Sequence, residues 1–211
     1  MPEFADNADV SAAKSAVRGA ALARRRALTP ATREDAAGAV VREVLSLVRR
    51  AGARRICGYV PIGAEPGGPS LVGALAAVAE VLLPVLRSDL DLDWALYTGS
   101  LAPAARGLLS PVGPLLGVSA VASADLVIVP AVAVDRGGTR LGRGGGSYDR
   151  ALARLLVRPG VPVVALLHDG ELVDGPLPAL PHDRRVSGVI TPALGVVWLT
   201  RLDETGWMTH H

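Results

Sequence analysis

Two hydrophobic rhythms divide the chain. From Ser11 to Leu28 an alanine-rich run predicts a helix, stopped where Thr29-Pro30 disfavours its continuation. A capping box at Thr32 and Asp35 predicts a second helix reaching about Ala51. Its residues Val40, Val41, Val44, Leu45, Leu47 and Val48 recur at roughly helical spacing. Beyond it short apolar runs take over, predicting strands at 55–60, 81–86, 93–97, 125–134, 161–168, 188–191 and 195–199. One further helix, capped by Ser70, is expected to reach about Ala79. Runs such as DLVIVPAVAV and VPVVALLH are apolar almost throughout, so they suit strands covered on both faces, as in a parallel sheet between helix layers. Pro130 inside the first run marks a strand end or bend. Residues 98–122, punctuated by proline and glycine, are expected to be loops. The reading is one α/β domain over residues 11–199, with 1–10 and 200–211 as flexible termini.

Composition narrows the class. Half of the 211 residues are hydrophobic and a fifth are charged, as in a soluble globular chain. The net charge of +2 and only seven aromatic residues give no footprint for nucleic acid. No run approaches the roughly 18 apolar residues of a membrane span, and MPEFADNADV is not a signal pattern, so a cytoplasmic protein is expected. Cys57 is the single cysteine and reads as a buried small hydrophobe. Lys14 is the single lysine among 22 basic residues, a ratio that fits an arginine-biased genome. A compact ammonium at that one position also suits a phosphate oxygen.

The chemistry concentrates in DRGGTRLGRGGGSYDR, Asp135 to Arg150, lying between an apolar strand and the apolar helical stretch Ala151 to Val157. Glycines let a backbone approach a phosphate, N–H groups point at it, and a following helix adds partial positive charge. Arg140 and Arg143 supply mobile cations, and Asp149 is placed to hold magnesium against phosphates. The segment is neither a P-loop, which needs a closing Lys-Ser/Thr pair, nor a dinucleotide fingerprint, because Ser147 stands where glycine or alanine belongs. A flexible turn with a helix-capping aspartate is the plainer alternative. Lys14 and Arg18, four apart, share one helix face, where like charges cost about 0.2–0.5 kcal/mol unless an anion lies between them. A solvated basic face is the alternative there, since Arg24, Arg25 and Arg26 follow.

KSAVRGAALARRRALTP, RLGRGGGSYDR and PHDRRVSGVITP, in this order and spacing, resemble three signatures of the 5-formyltetrahydrofolate cyclo-ligase (methenyltetrahydrofolate synthetase) family, over residues 11 to 195. The resemblance implies a three-layer α/β/α sandwich with a mostly parallel central sheet. It also implies ATP- and Mg2+-dependent conversion of 5-formyltetrahydrofolate to 5,10-methenyltetrahydrofolate, with release of ADP and phosphate. The formyl oxygen is phosphorylated, a neighbouring folate nitrogen attacks, and phosphate leaves. By the same resemblance Lys14, Arg18, Arg140, Gly142, Gly144, Gly145 and Gly146 hold ATP, and Asp149 and Asp183 hold the metal. Glu65, Arg143, Ser147 and Tyr148 meet the folate, with Arg143 and Tyr148 nearest the chemistry. The expected partner is a small reduced folate, with no nucleic acid and no membrane, bound by a monomer. His168, ending a strand, reads as structural or exposed, and His182 as orienting the Asp183 loop.

The chain departs from the family pattern at three positions. Ser147 replaces the first of two tyrosines, while Ser110 and Leu180 stand where glutamates are common. These departures raise an alternative: a weakened relative that binds folate or nucleotide without efficient turnover. A nucleotide- or sugar-phosphate-binding enzyme of similar architecture is a third reading. Thermal shift separates them, since a folate response excludes the third and binding without turnover identifies the second.

Overall fold

The computed structural model describes residues 7–199. Of the termini expected to be flexible, residues 1–6 and 200–211 lie outside that span. Helix α1 (Asn7–Ala27) begins four residues ahead of the expected Ser11, and Val10 is buried, so residues 7–10 belong to the helix. Helix α2 (Pro30–Ala51) is capped by Thr29, whose Oγ1 accepts from the Thr32 N–H at 3.1 Å, with Pro30 in the first turn. The expected box at Thr32 is thus one turn late. Proline needs no N–H there, and its fixed φ suits a helix start. Gly52 ends the helix in the left-handed conformation, its N–H reaching the Arg49 carbonyl.

Strands β1 (Arg55–Cys57), β2 (Glu80–Leu86) and β3 (Leu92–Leu96) follow, with α3 (Leu71–Ala76) between the first two. Ser70 makes no side-chain cap to α3, contrary to expectation. Residues 98–122 are not all loop: β4 (Leu101–Pro103) and β5 (Leu109–Pro111) form an antiparallel hairpin. The long run at 125–134 breaks at Pro130, which cannot donate to a ladder. Its two halves, β6 (Leu126–Pro130) and β7 (Ala133–Asp135), enter different sheets. Then come β8 (Arg140–Leu141), α4 (Ser147–Ala153), a 3-10 turn at Arg154–Val157, β9 (Val163–Leu166), β10 (Leu172–Val173), β11 (Gly188–Thr191) and β12 (Gly195–Trp198).

The main sheet runs β12-β11-β9-β6-β1-β2-β3. Its inner pairings are parallel, and only the edge strands β3 and β12 run against their neighbours. Alternation decides which layer each side chain meets. Ile56, Val81, Leu83, Leu126, Ile128, Val164, Leu166 and Ile190 pack under Val40, Val44, Leu47 and Val48 of α2 and Leu71, Val72 and Leu75 of α3. Their neighbours Cys57, Leu82, Val127, Val129, Val163, Ala165 and Val189 meet Ala151 and Leu152 of α4, Leu155, Val121 and Ala124 on the other face. The result is the three-layer α/β/α sandwich that the sequence predicts. Burial raises the Cys57 thiol well above its ordinary pKa, so it stays an inert core group.

A second sheet, β10-β7-β8, receives α1. Ala21 packs there on Val132, Ala133, Leu141 and Leu177, with Val17 and Leu22 beside it. This contact carries the N-terminal helix to the mouth of the main sheet.

Candidate active site

In the main sheet the chain leaves β1 toward β2 and β3, then returns to β6 on the other side of β1 and proceeds outward through β9 and β11. In open parallel sheets the crevice at such a reversal, beyond the carboxyl ends of the strands, is where ligands bind. Here Tyr59 and Val60 leave β1 and Ala131 and Val132 leave β6, and together they wall a cleft of about 580 Å³. That volume is in the range of a small-molecule site.

One half of the cleft is polar. Lys14 and Arg18 reach it from successive turns of α1, and residues 142–146 form its floor. Lys14 bonds the Asp183 carboxylate, and Arg18 Nε donates to the Gly142 carbonyl at 2.8 Å. Gly144, at φ +104°, lies under the Arg18 guanidinium, which a Cβ would meet at 3.4 Å. At Gly142 a Cβ would lie 2.7 Å from Arg140 Nη1, so the lack of a side chain lets the guanidinium pass. Arg140 is not the mobile cation expected: its side chain is 3 % exposed and Nη2 donates to Asp149 Oδ1 at 2.9 Å. Its Nε, also buried, has no hydrogen-bond partner among the described residues. The cation lies 5.8 Å from the centroid of the Tyr148 ring, close enough for a cation–π contact.

Helix α4 starts at Ser147, earlier than the expected Ala151, so Ser147, Tyr148 and Asp149 all occupy its first turn. Tyr148 packs at the sheet end between both cores, and burial raises its phenol well above the ordinary range. It therefore enters the cleft as a neutral hydroxyl. Asp149 Oδ1 also accepts the Arg184 N–H at 3.0 Å, tying α4 to the 181–187 segment.

Asp183 reaches the same cleft from that segment, so folding unites the two aspartates that sequence separates. Its burial works to raise the carboxyl pKa, but Lys14 and the Leu180 N–H, 2.7 Å from Oδ2, outweigh it and hold the group below its usual value. Leu180, where the resemblance implies a glutamate, thus contributes through its backbone. His182 Nε2 stands 3.8 Å from Asp183 Oδ1, beside the loop it was expected to orient.

The other half is apolar, lined by Pro84, Leu86, Leu92, Leu108 and Leu109. None of these was singled out from the sequence, where they read as core or loop. Glu65 is nearly buried at its side. Its Oε2 accepts the Ile62 N–H at 3.0 Å, and Oε1 pairs with Arg143 Nε at 3.0 Å. Burial, the largest influence, raises the Glu65 pKa against the opposing pull of the Ile62 N–H and Arg143. Ser147 also lines the cleft, whereas Ser110, on β5, does not.

Among the described residues no three His, Cys, Asp or Glu side chains cluster to make a metal site by themselves. Asp149 and Asp183 nevertheless fit magnesium with phosphates, since this ion is commonly held by one or two carboxylates plus phosphate oxygens and water. Each has a second oxygen that accepts no hydrogen bond from the described residues. No helix among them is long and apolar enough to cross a membrane.

The architecture and cleft define an α/β protein with an anion-ready crevice at the sheet's switch point, polar on one side and apolar on the other. A model of the 5-formyltetrahydrofolate cyclo-ligase family matches residues 10–192. The 5-formyltetrahydrofolate cyclo-ligase of Mycolicibacterium smegmatis is 44 % identical over 193 residues, covering 88 % of this chain and 97 % of that protein. The solved Aquifex aeolicus 5,10-methenyltetrahydrofolate synthetase superposes with a TM-score of 0.75 at 25 % identity, covering 94 % of this chain and 96 % of that one. A Mycoplasma pneumoniae 5,10-methenyltetrahydrofolate synthetase shares the fold, with a TM-score of 0.67 at 19 % identity over 85 % of this chain and 98 % of the other. This chain belongs to the 5-formyltetrahydrofolate cyclo-ligase family.

Proposed function

We propose that the protein converts 5-formyltetrahydrofolate to 5,10-methenyltetrahydrofolate in the cytoplasm, consuming ATP and releasing ADP and phosphate. The observation that carries this reading is the division of one cleft into a cationic, glycine-floored half and an apolar half with a buried glutamate. Two ligands of different chemistry meet there.

Lys14, Arg18 and Arg140 hold the phosphates, with N–H groups of residues 142–146 approaching them closely. Lys14 uses one of its three ammonium donors on Asp183 and keeps the others for phosphate. Asp149 and Asp183 would hold Mg2+, which when bound neutralises charge on the phosphate oxygens. Glu65 accepts N–H donors of the pterin ring, Arg143 opposes the rise that burial imposes on its pKa, and Ser147 and the neutral Tyr148 hydroxyl contact the folate. Both reactive groups belong to the substrates, so the protein positions them and neutralises charge.

The test is growth of the methenyl-folate absorbance on mixing the protein with Mg-ATP and 5-formyltetrahydrofolate. A rise requiring both ATP and magnesium, and abolished by Asp149→Ala, is expected. Binding of both ligands with no rise would transfer the reading to a non-catalytic relative.

A further inference from the structure

We propose that His168 is a positioning residue for Glu65, acting through the backbone of the turn at residues 62–68. This rests on the reading of Glu65 as the acid that holds the folate. Glu65's own side-chain contacts do little to fix the turn. One is to Ile62 within it, and the other is to Arg143, whose side chain is 50 % exposed. Gly63, Gly67 and Gly68 all stand at positive φ, so the segment has much backbone freedom to lose.

Two buried side chains restrain it, one on each side of Glu65. Tyr59 donates its hydroxyl to the Pro66 carbonyl at 2.9 Å, and His168 Nε2 donates to the Ala64 carbonyl at 2.9 Å. A carbonyl can only accept, so Nε2 must carry the proton. Tyr59 is seven residues from its partner, but His168 comes from the far side of β9, 104 residues away. It is therefore the long-range tie of the two.

His168 is itself anchored. Its N–H donates to Glu171 Oε2 at 2.8 Å, and Glu171 forms a two-pronged pair with Arg25 of α1 at 2.7 Å on each oxygen. Arg25 also donates to the Ala131 carbonyl in the cleft wall at 2.5 Å. One continuous chain of buried and part-buried hydrogen bonds thus joins α1, which carries Lys14 and Arg18, to the turn that carries Glu65. The nucleotide half and the folate half are held in register by groups that touch neither ligand.

Loss of the imidazole leaves the Ala64 carbonyl unpaired and the glycine-rich turn free to drift. The tests are steady-state kinetics and folding midpoints for His168→Ala, His168→Gln and His168→Asn. Glutamine can place an amide N–H near the Nε2 position; asparagine, one methylene shorter, cannot. His168→Ala and His168→Asn are expected to raise the folate KM about tenfold, as losses of outer support do. The KM for ATP and kcat stay near wild type, and His168→Gln restores the folate KM. Equal increases in both KM values, a lowered midpoint with the folate KM unchanged, or failure of a folded His168→Gln to rescue would each overturn the assignment. A wild-type protein that neither turns over nor binds 5-formyltetrahydrofolate would instead overturn the reading of the site on which it rests.

Discussion

Arg25 and Lys14 lie on one helix, and each faces a carboxylate, yet the two pairs serve opposite purposes. Arg25 and Glu171 are each 4 % exposed, and the guanidinium donates to both oxygens and to the Ala131 carbonyl. This pair stands outside the cleft lining and is not offered to a ligand. Lys14 and Asp183 open on the cleft, and the ammonium has donors to spare. Arg143, paired with Glu65 and half exposed, follows the second pattern. Charge pairing alone does not separate a scaffold from a site. The separation lies in whether the pair lines the cleft.

The largest effect should come from breaking the closed pair. Arg25→Ala strands a buried carboxylate and is expected to cost about 3–5 kcal/mol, read from urea unfolding. With its proposed phosphate contact removed, Lys14→Ala should lose about 100-fold in kcat/KM, or about 2.7 kcal/mol. Its unfolding free energy should fall by only about 1 kcal/mol, since Asp183 keeps the Leu180 N–H and meets solvent. Equal stability losses in the two variants would break the distinction between these regions.

A pH profile sharpens it further. The raised pKa of Glu65 means that its charge, and folate binding with it, is lost on acidification earlier than for an ordinary glutamate. With Glu65 in its proposed role, the acid limb of kcat/KM for folate should therefore lie above that set by an ordinary glutamate. Arg143 pulls that pKa down, so Arg143→Gln should move the limb to higher pH; movement to lower pH would contradict the assignment. The smallest effect belongs to Ser110→Glu. It installs the residue that the family resemblance implies, at a position outside the cleft lining, so activity should stay within about twofold, as for ordinary surface changes.

Much of the site could be read before folding because its main segments have strong local character. The glycines of 142–146, the i,i+4 cations of α1 and the His-Asp segment are visible as short patterns, and all three line the cleft. Arg25 shows the limit. Among three consecutive arginines nothing local distinguishes the buried one, whose partner Glu171 is 146 residues away. The same holds for Arg140, which is an exposed cation by type and a buried one by contact. Pro130 announced a break, but only the separate pairings of β6 and β7 reveal that one apolar run feeds two sheets.

The sequence by itself determined the α/β class, the main helices and most strands, because hydrophobic periodicity and proline and glycine act over a few residues. It also marked the phosphate-ready loop, because glycine and arginine chemistry is written in adjacent positions. Only tertiary structure decided which acids meet which cations, which donors stay free and which apolar side chains form the second half of the cleft. Those outcomes depend on burial and on contacts between residues far apart in the chain, and neither is a property of any single segment.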